Sequence, residues 1–362
     1  MRSLHVDPAR SWRGGERQVL LQVSELVARG HDCLVAGDPR GELVRRCRAA
    51  GLRTLPARIH GDGDPAGVLT LAGGIRRFRP HLLHLHTARA HAAGGIAGRL
   101  TRCRPILVTR RLELPPRGGV LGRWKYARLA DHYIAISTAV KESLLSGGVP
   151  AERITQIASG IPVGEVSTRE SERTRGAEVV VGTVAAFTPQ KAPSVWVDTV
   201  RRVAEACPGA RFIWAGEGPL LEECRTRIRE YGLAGRVDFP GFVEAVDSVW
   251  EKIDIFFLPS AFEALGTVFL DAMARGIPVV ATRVGGIGEV VRTDREGILT
   301  EAGDDAALAA GIERLVADRV LRKDMGEQGK IRAREFDIGK IVDRLEALYQ
   351  ELTTGSAREV AS

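Results

Sequence analysis

The sequence predicts an α/β protein made of two doubly wound, parallel-sheet domains. Three observations lead to this fold class. Short apolar runs alternate with helical stretches of ten or more residues, which is the pattern of β-α units. A polar, charged stretch without apolar periodicity, residues 164–178, separates these units into two series. The length of 362 residues is sufficient for two separate cores.

The apolar runs predict the strands of each domain in order. In the first domain, residues 1–165, strands are expected at 4–6, 33–36, 82–85, 106–109, 133–136 and 154–157. In the second, residues 166–340, they are expected at 179–185, 211–214, 236–239, 255–258 and 279–282. The last segment, residues 341–362, contains most of an amphipathic helix that is expected over about 338–352. Parallel sheets of this kind bind ligands at the carboxyl ends of their strands, which directs attention to the loops there.

Composition indicates a protein of the cytoplasm. No apolar run approaches the 18 residues of a spanning helix, and the first residues do not resemble a secretion signal. Five cysteines are scattered without C-x-x-C spacing, as expected of reduced thiols. The sequence therefore predicts a cytoplasmic protein that can also be peripheral on the inner face of the cell membrane.

Charge is distributed unevenly along the chain. Residues 1–165 contain 26 Lys and Arg against 13 Asp and Glu, whereas residues 166–362 contain 26 against 32, so the net charges are +13 and −6. A basic first domain favours an anionic partner such as a phosphorylated glycan, a lipid phosphate or an acidic inner-leaflet surface. Nucleic acid is not expected, because aromatic residues make up 5% of the chain and do not interleave with the cations.

One stretch combines two carboxylates with the start of a helix. Residues 260–286 read SAFEALGTVFLDAMARGIPVVATRVGG; Glu263 precedes a helix expected to begin near Gly266 and Thr267, and Asp271 lies inside it. The free N–H groups of the helix start favour an anion. If all eight residues from Glu263 to Asp271 were helical, they would rise about 12 Å, roughly the span of a sugar, a pyrophosphate and a ribose. The alternative is an ordinary helix–strand unit with two solvated acids.

Three further segments, two loops and one strand, contain candidate residues. Gly14 and Gly15 lie between the first strand and the first helix and would let a phosphate or a sugar approach the backbone. Lys191 lies in VAAFTPQKAPS, after the first strand of the second domain. His84 and His86 share one face of a strand, but no acid or cysteine is spaced to complete a ligand set, so no metal site is expected.

The stretch from Glu263 to Asp271 resembles the E-x7-E signature of retaining glycosyltransferases of family four, which have the GT-B fold. The resemblance extends along most of the chain in family order. It includes WRGGERQVLLQVSELVARGHD at 12–32, IAISTAV at 134–140, the Lys191 loop and AGEGPLLEECRTRIREYGLAGRVDFPGFV at 215–243. It implies two Rossmann-like domains facing a central cleft, and a last helix that crosses back to the first domain.

The resemblance also implies roles for individual residues. Glu263 would bind the transferred sugar, Asp271 the ribose, and Phe242 the base by its backbone. The amides of Gly266 and Thr267, with Lys191 and the Gly14-Gly15 loop, would hold the pyrophosphate. For His86 the residues themselves leave two readings open: a hydrogen-bonding role on the acceptor side, or a structural histidine.

The chain departs from the family at two positions. Ala186 stands where the family has an arginine on the pyrophosphate, and Arg110 or Arg111 stands where many relatives have a histidine. Arg110, Arg111 and Arg17 are the candidates to replace the missing cation. A guanidinium can stabilise a leaving group but cannot act as a base.

The implied activity is retaining, metal-independent transfer from a nucleotide sugar to a glycan or lipid-linked acceptor, in polysaccharide or lipopolysaccharide synthesis. The nucleotide sugar is then a substrate, and no cofactor is expected. Two alternatives remain: a sugar-nucleotide 2-epimerase, which needs no acceptor, and a non-catalytic scaffold, which the two departures favour.

Overall fold

A computed structural model describes residues 1–112, 119–164 and 178–361. The chain divides into two compact units, of which the first contains Met1–Pro162 with Asp337–Ser362 and the second contains Val163–Phe336. The predicted linker 164–178 lies outside the described residues except for its two ends, and so does the predicted boundary at 165. Each unit contains a parallel sheet, and the predicted α/β class with two doubly wound domains is confirmed.

The first unit is built around a seven-stranded sheet. Its strands are β1 (Arg2–Val6), β2 (Asp32–Gly37), β3 (Arg53–Pro56), β4 (Leu82–Leu85), β5 (Ile106–Arg110), β6 (His132–Ala135) and β7 (Ile154–Gln156). Its helices are α1 (Gly14–Ala28), α2 (Glu42–Ala49), α3 (Pro65–Phe78), α4 (Ala88–Thr101), α5 (Gly119–Arg128) and α6 (Thr138–Ser146). The strand order is β3-β2-β1-β4-β5-β6-β7, and every pairing is parallel.

The second unit contains a six-stranded parallel sheet of order β10-β9-β8-β11-β12-β13. Its strands are β8 (Val179–Val184), β9 (Ala210–Ala215), β10 (Val237–Gly241), β11 (Ile255–Leu258), β12 (Val279–Thr282) and β13 (Gly297–Thr300). Its helices are α7 (Pro193–Ala206), α8 (Leu221–Glu230), α9 (Asp247–Trp250), α10 (Thr267–Ala274), α11 (Ile287–Val290), α12 (Asp305–Ala317) and α13 (Arg319–Ala333).

The last helix, α14 (Ile338–Ala361), belongs to the first unit and ends nine residues later than the sequence predicted. Its apolar face joins the core formed by α1, α2 and the sheet. Tyr349 is fully buried there, and a hydrogen bond of 2.6 Å joins its hydroxyl to His84 Nδ1 of β4. At the surface Arg29, at the end of α1, pairs with Asp343 and Glu346 of α14. The helix is therefore part of the first unit's core.

The predicted strands are all present within one or two residues, but two strands were missed. β3 reads RTLP, with a single strong apolar residue and a terminal proline, and β13 reads GILT. Both are sheet-edge strands of four residues. A strand that is half exposed and short has little apolar pattern by which the sequence can indicate it.

Candidate active site

The winding of the second sheet reverses between two neighbouring strands. The chain proceeds from β8 outward to β9 and β10, then returns to β11 on the other side of β8 and continues to β12 and β13. Ligands of doubly wound sheets bind where two such loops diverge at the carboxyl ends of adjacent strands. Here the loop after β8 contains Lys191 and the loop after β11 contains Glu263.

The structure brings Lys191 and Glu263 together. Lys191 Nζ donates to Glu263 Oε2, and both side chains are partly buried, with 20% and 15% exposed. The Ser260 hydroxyl lies 3.5 Å from the same carboxylate oxygen. The two loops are also joined by backbone, since Ala261 N donates to Gln190 O at 2.9 Å. The switch point of the second sheet therefore brings a cation and a carboxylate together in one ion pair.

The start of α10 has no side-chain cap. Gly266 is its N-cap residue with φ of +79°, and no side chain accepts from the first amides. A Cβ at Gly266 would lie 2.4 Å from the Phe269 ring and 3.0 Å from Glu263 Cγ, so this position requires glycine. The amides of an uncapped helix start, with the positive end of the dipole, are suited to an anion.

Glu263 and Asp271 do not lie on one continuous helix, as the predicted spacing assumed. The helix begins at Thr267, so Glu263 and the residues up to Gly266 are not helical and the condition for a 12 Å rise is not met. Asp271 lies one turn after Thr267, on the same face of α10, and is 7% exposed. Phe242 follows β10 directly and is 56% exposed.

The loop that contains Lys191 is fixed by aromatic packing. Trp214 Nε1 donates to Ala185 O at 2.8 Å, and the Phe187 ring stacks on Trp214 with centroids 4.1 Å apart. Phe187 N also donates to Glu217 O at 3.0 Å. A Cβ at Gly216 would lie 1.9 Å from Ala185 O, so the glycine permits the turn to pack against this loop. The position of Lys191 is therefore set by the buried core below it.

The first unit has a second polar cluster at the carboxyl edge of its sheet. Helix α1 begins at Gly14, so the two glycines form its first turn and do not precede it as predicted, and Arg13 N donates to Glu16 Oε2 at 2.8 Å. A Cβ at Gly15 would lie 3.8 Å from Arg111 Cδ, so the arginine stem passes close to the helix start. Asp7, which follows β1 directly, is 1% exposed and interacts electrostatically with Glu16 and Arg111.

Arg110 and Arg111, which the sequence left as alternatives, lie on opposite sides of β5. Arg110 Cζ is 5.9 Å from the centre of the Tyr126 ring on α5. Arg111 instead reaches β4, where its Nη1 lies 3.3 Å from His86 Nδ1. Two of its nitrogens, Nε and Nη2, are buried and have no hydrogen-bond partner among the described residues. Arg111, and not Arg110, belongs to the cluster at Gly15.

Arg111 also determines which ring nitrogen carries the proton in His86 and His5. Because a guanidinium only donates, His86 Nδ1 accepts, and neutral His86 then donates from Nε2 to His5 Nδ1 at 3.2 Å. His5 Nε2 in turn donates to Ser3 Oγ at 3.0 Å. Burial lowers the pKa of His5 to about 3 and that of His86 well below its usual value, so both rings are neutral. In each of these hydrogen bonds the donor therefore lies on the Arg111 side and the acceptor lies deeper in the core.

His5, His84 and His86 form a cluster in which one ring nitrogen of each residue lies within 4.8 Å of the others. The sequence paired His84 with His86 and missed His5, whose place beside them depends on the pairing of β1 with β4. All three are buried, and each ring nitrogen has a protein partner: Ser3, Tyr349, Thr109, Arg111 or another member of the cluster. Hydrogen bonding thus accounts for this cluster without a ligand.

Asp7 gives the first unit a predictable pH dependence. Burial, together with Glu16, raises the pKa of Asp7 to about 6, against an opposing hydrogen bond from Ala9 N. The folded state then binds more protons than the unfolded state between about pH 4 and 6, so stability falls as the pH rises through this window, by up to about 3 kcal/mol. Asp7→Asn should remove this slope. Urea unfolding at pH 4.5, 6 and 7.5 measures it.

The control for Asp7→Asn is replacement of an exposed carboxylate, Asp324→Asn, which should keep the wild-type slope. The difference between the two variants in the pH dependence of the free energy of unfolding then reports on Asp7, because every other buried titrating group contributes equally to both. If Asp7→Asn and wild type lose stability in parallel over pH 4.5 to 7.5, Asp7 is ionised in this window and the assignment is wrong.

Comparison with known families agrees with this architecture. Residues 12–165 match Glycosyltransferase Family 4, and residues 167–332 match Glycosyl transferases group 1. The chain belongs to the group 1 glycosyltransferases, and its fold is of the GT-B type. The resemblance predicted from residues 12–286 is thereby confirmed.

Individual relatives are enzymes of this class. The 2-deoxystreptamine N-acetyl-D-glucosaminyltransferase of Streptomyces fradiae is 29% identical over 84% of this chain and 83% of its own length. The D-inositol 3-phosphate glycosyltransferase of Corynebacterium efficiens is 31% identical over 75% of this chain and 66% of its own length. In several others the match spans about half of the relative.

Among solved structures, the crystal structure of Anabaena HepE in complex with UDP and glucose superimposes with a TM-score of 0.85. It is 22% identical and covers 97% of this chain and 100% of its own. At this identity the likeness establishes the fold.

Proposed function

We propose that this protein is a retaining glycosyltransferase that moves a sugar from a nucleotide-sugar donor to a glycan or lipid-linked acceptor. The observation that carries the proposal is the Lys191–Glu263 pair beside the uncapped start of α10, at the switch point of the second sheet. Relatives named for lipopolysaccharide core and colanic acid synthesis support an acceptor of the cell envelope.

The donor occupies the second unit in this proposal. Lys191 leaves Glu263 and binds the pyrophosphate, which also receives the amides of Gly266 and Thr267. Glu263, released from the lysine, hydrogen-bonds the transferred sugar. Asp271 binds the ribose, and because its side chain is buried and one methylene shorter than glutamate, it reaches a single hydroxyl. The backbone beside exposed Phe242 receives the base.

In the proposed reaction, negative charge develops on the departing pyrophosphate. The bond from the sugar's anomeric carbon to the pyrophosphate oxygen breaks, and a bond to the acceptor oxygen forms on the same face. The acceptor proton goes to the departing phosphate oxygen, so no strong protein base is required. The positive Lys191 and the α10 amides stabilise the charge on the leaving group, which is the role a metal has in other transferases. The nucleotide sugar is a substrate, and we propose no resident metal or cofactor.

The acceptor occupies the carboxyl edge of the first sheet in this proposal. Arg111 presents guanidinium N–H groups there, beside Gly15, and the role of Gly14 and Gly15 toward the donor pyrophosphate stays a prediction. His86 holds Arg111 in place through Nδ1 and therefore acts on the acceptor side indirectly. Arg110, directed toward Tyr126, is given no part in the site.

The test is a donor screen with stereochemistry as its readout. Wild-type protein is incubated with UDP-, GDP- and ADP-sugars and a panel of glycan and lipid-linked acceptors, with EDTA in a parallel series. We expect transfer with the anomeric configuration of the donor retained, by proton NMR of the product, and equal rates with EDTA. UDP-sugars are the first choice, because HepE was solved with UDP.

Other outcomes would replace the proposal. Inverted product contradicts the same-face mechanism, and full inhibition by EDTA contradicts the metal-independent one. An epimer formed from the donor alone would identify a 2-epimerase. A protein that binds neither UDP, GDP nor ADP by calorimetry would be a scaffold.

A further inference from the structure

The first sheet has two helical layers of different charge. Helices α3, α4 and α5 form one layer: α4 is joined to the end of α5 by Arg99 Nε, which donates to Arg128 O at 2.7 Å. Helices α1, α2 and α14 form the other, around a common core. The two layers lie on opposite faces because right-handed crossovers place helices of opposite winding direction on opposite sides of a sheet.

Within this layer α3, α4 and α5 contain no acidic residue, whereas α6, which the same crossover direction places beside them, contains Lys141 and Glu142. The helices α3, α4 and α5 contain seven cations (Arg76, Arg77, Arg89, Arg99, Arg123, Lys125 and Arg128) and no Asp or Glu. The α1, α2 and α14 helices also contain seven cations, but with seven acidic residues. The absence of acids continues through the loops, since residues 65–112 contain nine arginines and no carboxylate. The excess positive charge of the first unit is thus concentrated on one face.

Most of these cations are available to solvent. Five of them are exposed, and none of the five forms an ion pair with another described residue: Arg76, Arg77, Arg89, Arg123 and Arg128. Arg99 and Lys125 are instead paired, with Asp131 and Asp62. Because Arg89 also interacts electrostatically with Asp7 at the sheet edge, the guanidinium groups free to meet an external anionic surface are those of Arg76, Arg77, Arg123 and Arg128.

Helix dipoles explain only part of this pattern. Arginines in the last turns of α3, α4 and α5 interact favourably with the helix C-termini. The dipole would equally favour acids at the helix starts: Asp64 caps α3, as Glu16 and Glu42 lie in the first turns of α1 and α2, but α4 and α5 have no acid in their first turns. Large apolar side chains are exposed on the same layer, with Leu69 of α3 70% and Trp124 of α5 52% exposed.

We infer that the outer face of α3, α4 and α5 docks on an acidic lipid bilayer. Arginine stems and a tryptophan ring suit the boundary between headgroups and acyl chains, and cations without neighbouring acids suit anionic headgroups. A nucleic acid would use the cations but would leave Leu69 without a partner. Contact would be peripheral, since none of the described helices has the length and apolarity to cross a membrane. This inference does not depend on the proposed reaction.

Vesicle sedimentation tests the docking face. Full-length protein is mixed with vesicles of phosphatidylcholine alone or with 30% phosphatidylglycerol, in 0.1 M and 0.5 M NaCl. We expect binding to the acidic vesicles at 0.1 M salt, and much weaker binding at 0.5 M salt or to the neutral vesicles. Each cation near an acidic surface contributes roughly a fivefold factor, so R76E/R77E/R123E should bind at least about 100-fold more weakly.

Two comparison variants make the result specific. R45E/R48E/R229E changes the net charge by the same amount at exposed arginines elsewhere, and should bind acidic vesicles nearly as the wild type does. L69S/W124S keeps the charge and should bind several-fold more weakly. Equal binding by both triple variants would overturn the assignment of the face. Absence of binding to acidic vesicles, or binding to RNA instead, would overturn the lipid partner.

Discussion

Lys191→Ala is expected to lower kcat/KM for sugar transfer by about 100- to 1000-fold, the usual loss when one group that stabilises developing charge is removed. In this chain the loss should be at the upper end, because Ala186 supplies no second cation from the same loop. The free protein should remain folded, although Glu263 then lacks its charged partner in a partly exposed site. Steady-state kinetics with the donor identified by the screen measures the effect.

Replacement of Glu263 tests the other member of the ion pair with Lys191. Glu263→Gln keeps the shape of the side chain but cannot pair with Lys191 as an anion, so it should lower kcat more than it raises KM if the carboxylate acts on the sugar in the transition state. Lys323→Ala, which removes an exposed lysine of the same unit, is the matched control and should retain wild-type activity. Wild-type turnover by Lys191→Ala would remove this lysine from the reaction.

The second large effect concerns stability. Tyr349→Ala is expected to lower the free energy of unfolding of the first unit by about 3–5 kcal/mol, because it removes a fully buried ring and leaves His84 without its partner. Tyr349→Phe keeps the ring and should cost about 1–3 kcal/mol through the buried nitrogen. Gln350→Ala, at the neighbouring exposed position, should change stability by less than about 0.5 kcal/mol.

Urea unfolding followed by circular dichroism measures these three variants. If Tyr349→Ala unfolds at the same urea concentration as Gln350→Ala, the last helix is an appendage of the first unit and not part of its core. A large loss for Tyr349→Phe that equals the loss for alanine would mean that the hydrogen bond to His84, and not packing, stabilises the helix.

Sequence reasoning predicted the elements that have strong apolar patterns. The strands at 82–85, 255–258 and 279–282 have the predicted bounds, since each is a buried run between clear turn signals. The start of α10 at Gly266 was also predicted, because a glycine before a good helix former is a local signal. β3 and β13 were missed because edge strands with few apolar residues give a weak signal of this kind.

The site was predicted less completely, for a physical reason. Lys191 and Glu263 were each chosen by local motif, but their ion pair depends on the pairing of β8 with β11 across 72 positions of sequence. Asp7 and His5 were not chosen at all. A carboxylate directly after a predicted strand was a usable signal for Asp7, whereas His5 becomes notable only when β1 lies beside β4. The choice between Arg110 and Arg111 likewise required the direction of each side chain from β5.

The measurement that tests the central claim most directly is amide hydrogen exchange of the full-length protein, with and without saturating UDP, GDP or ADP. At least one nucleotide should slow exchange in the peptides that contain Lys191 and Gly266–Thr267, while peptides from α12, which belongs to neither loop, stay unchanged. A nucleotide that binds and leaves both loops unprotected, or a protein that binds none of the three, would contradict a donor site at the divergence of β8 and β11.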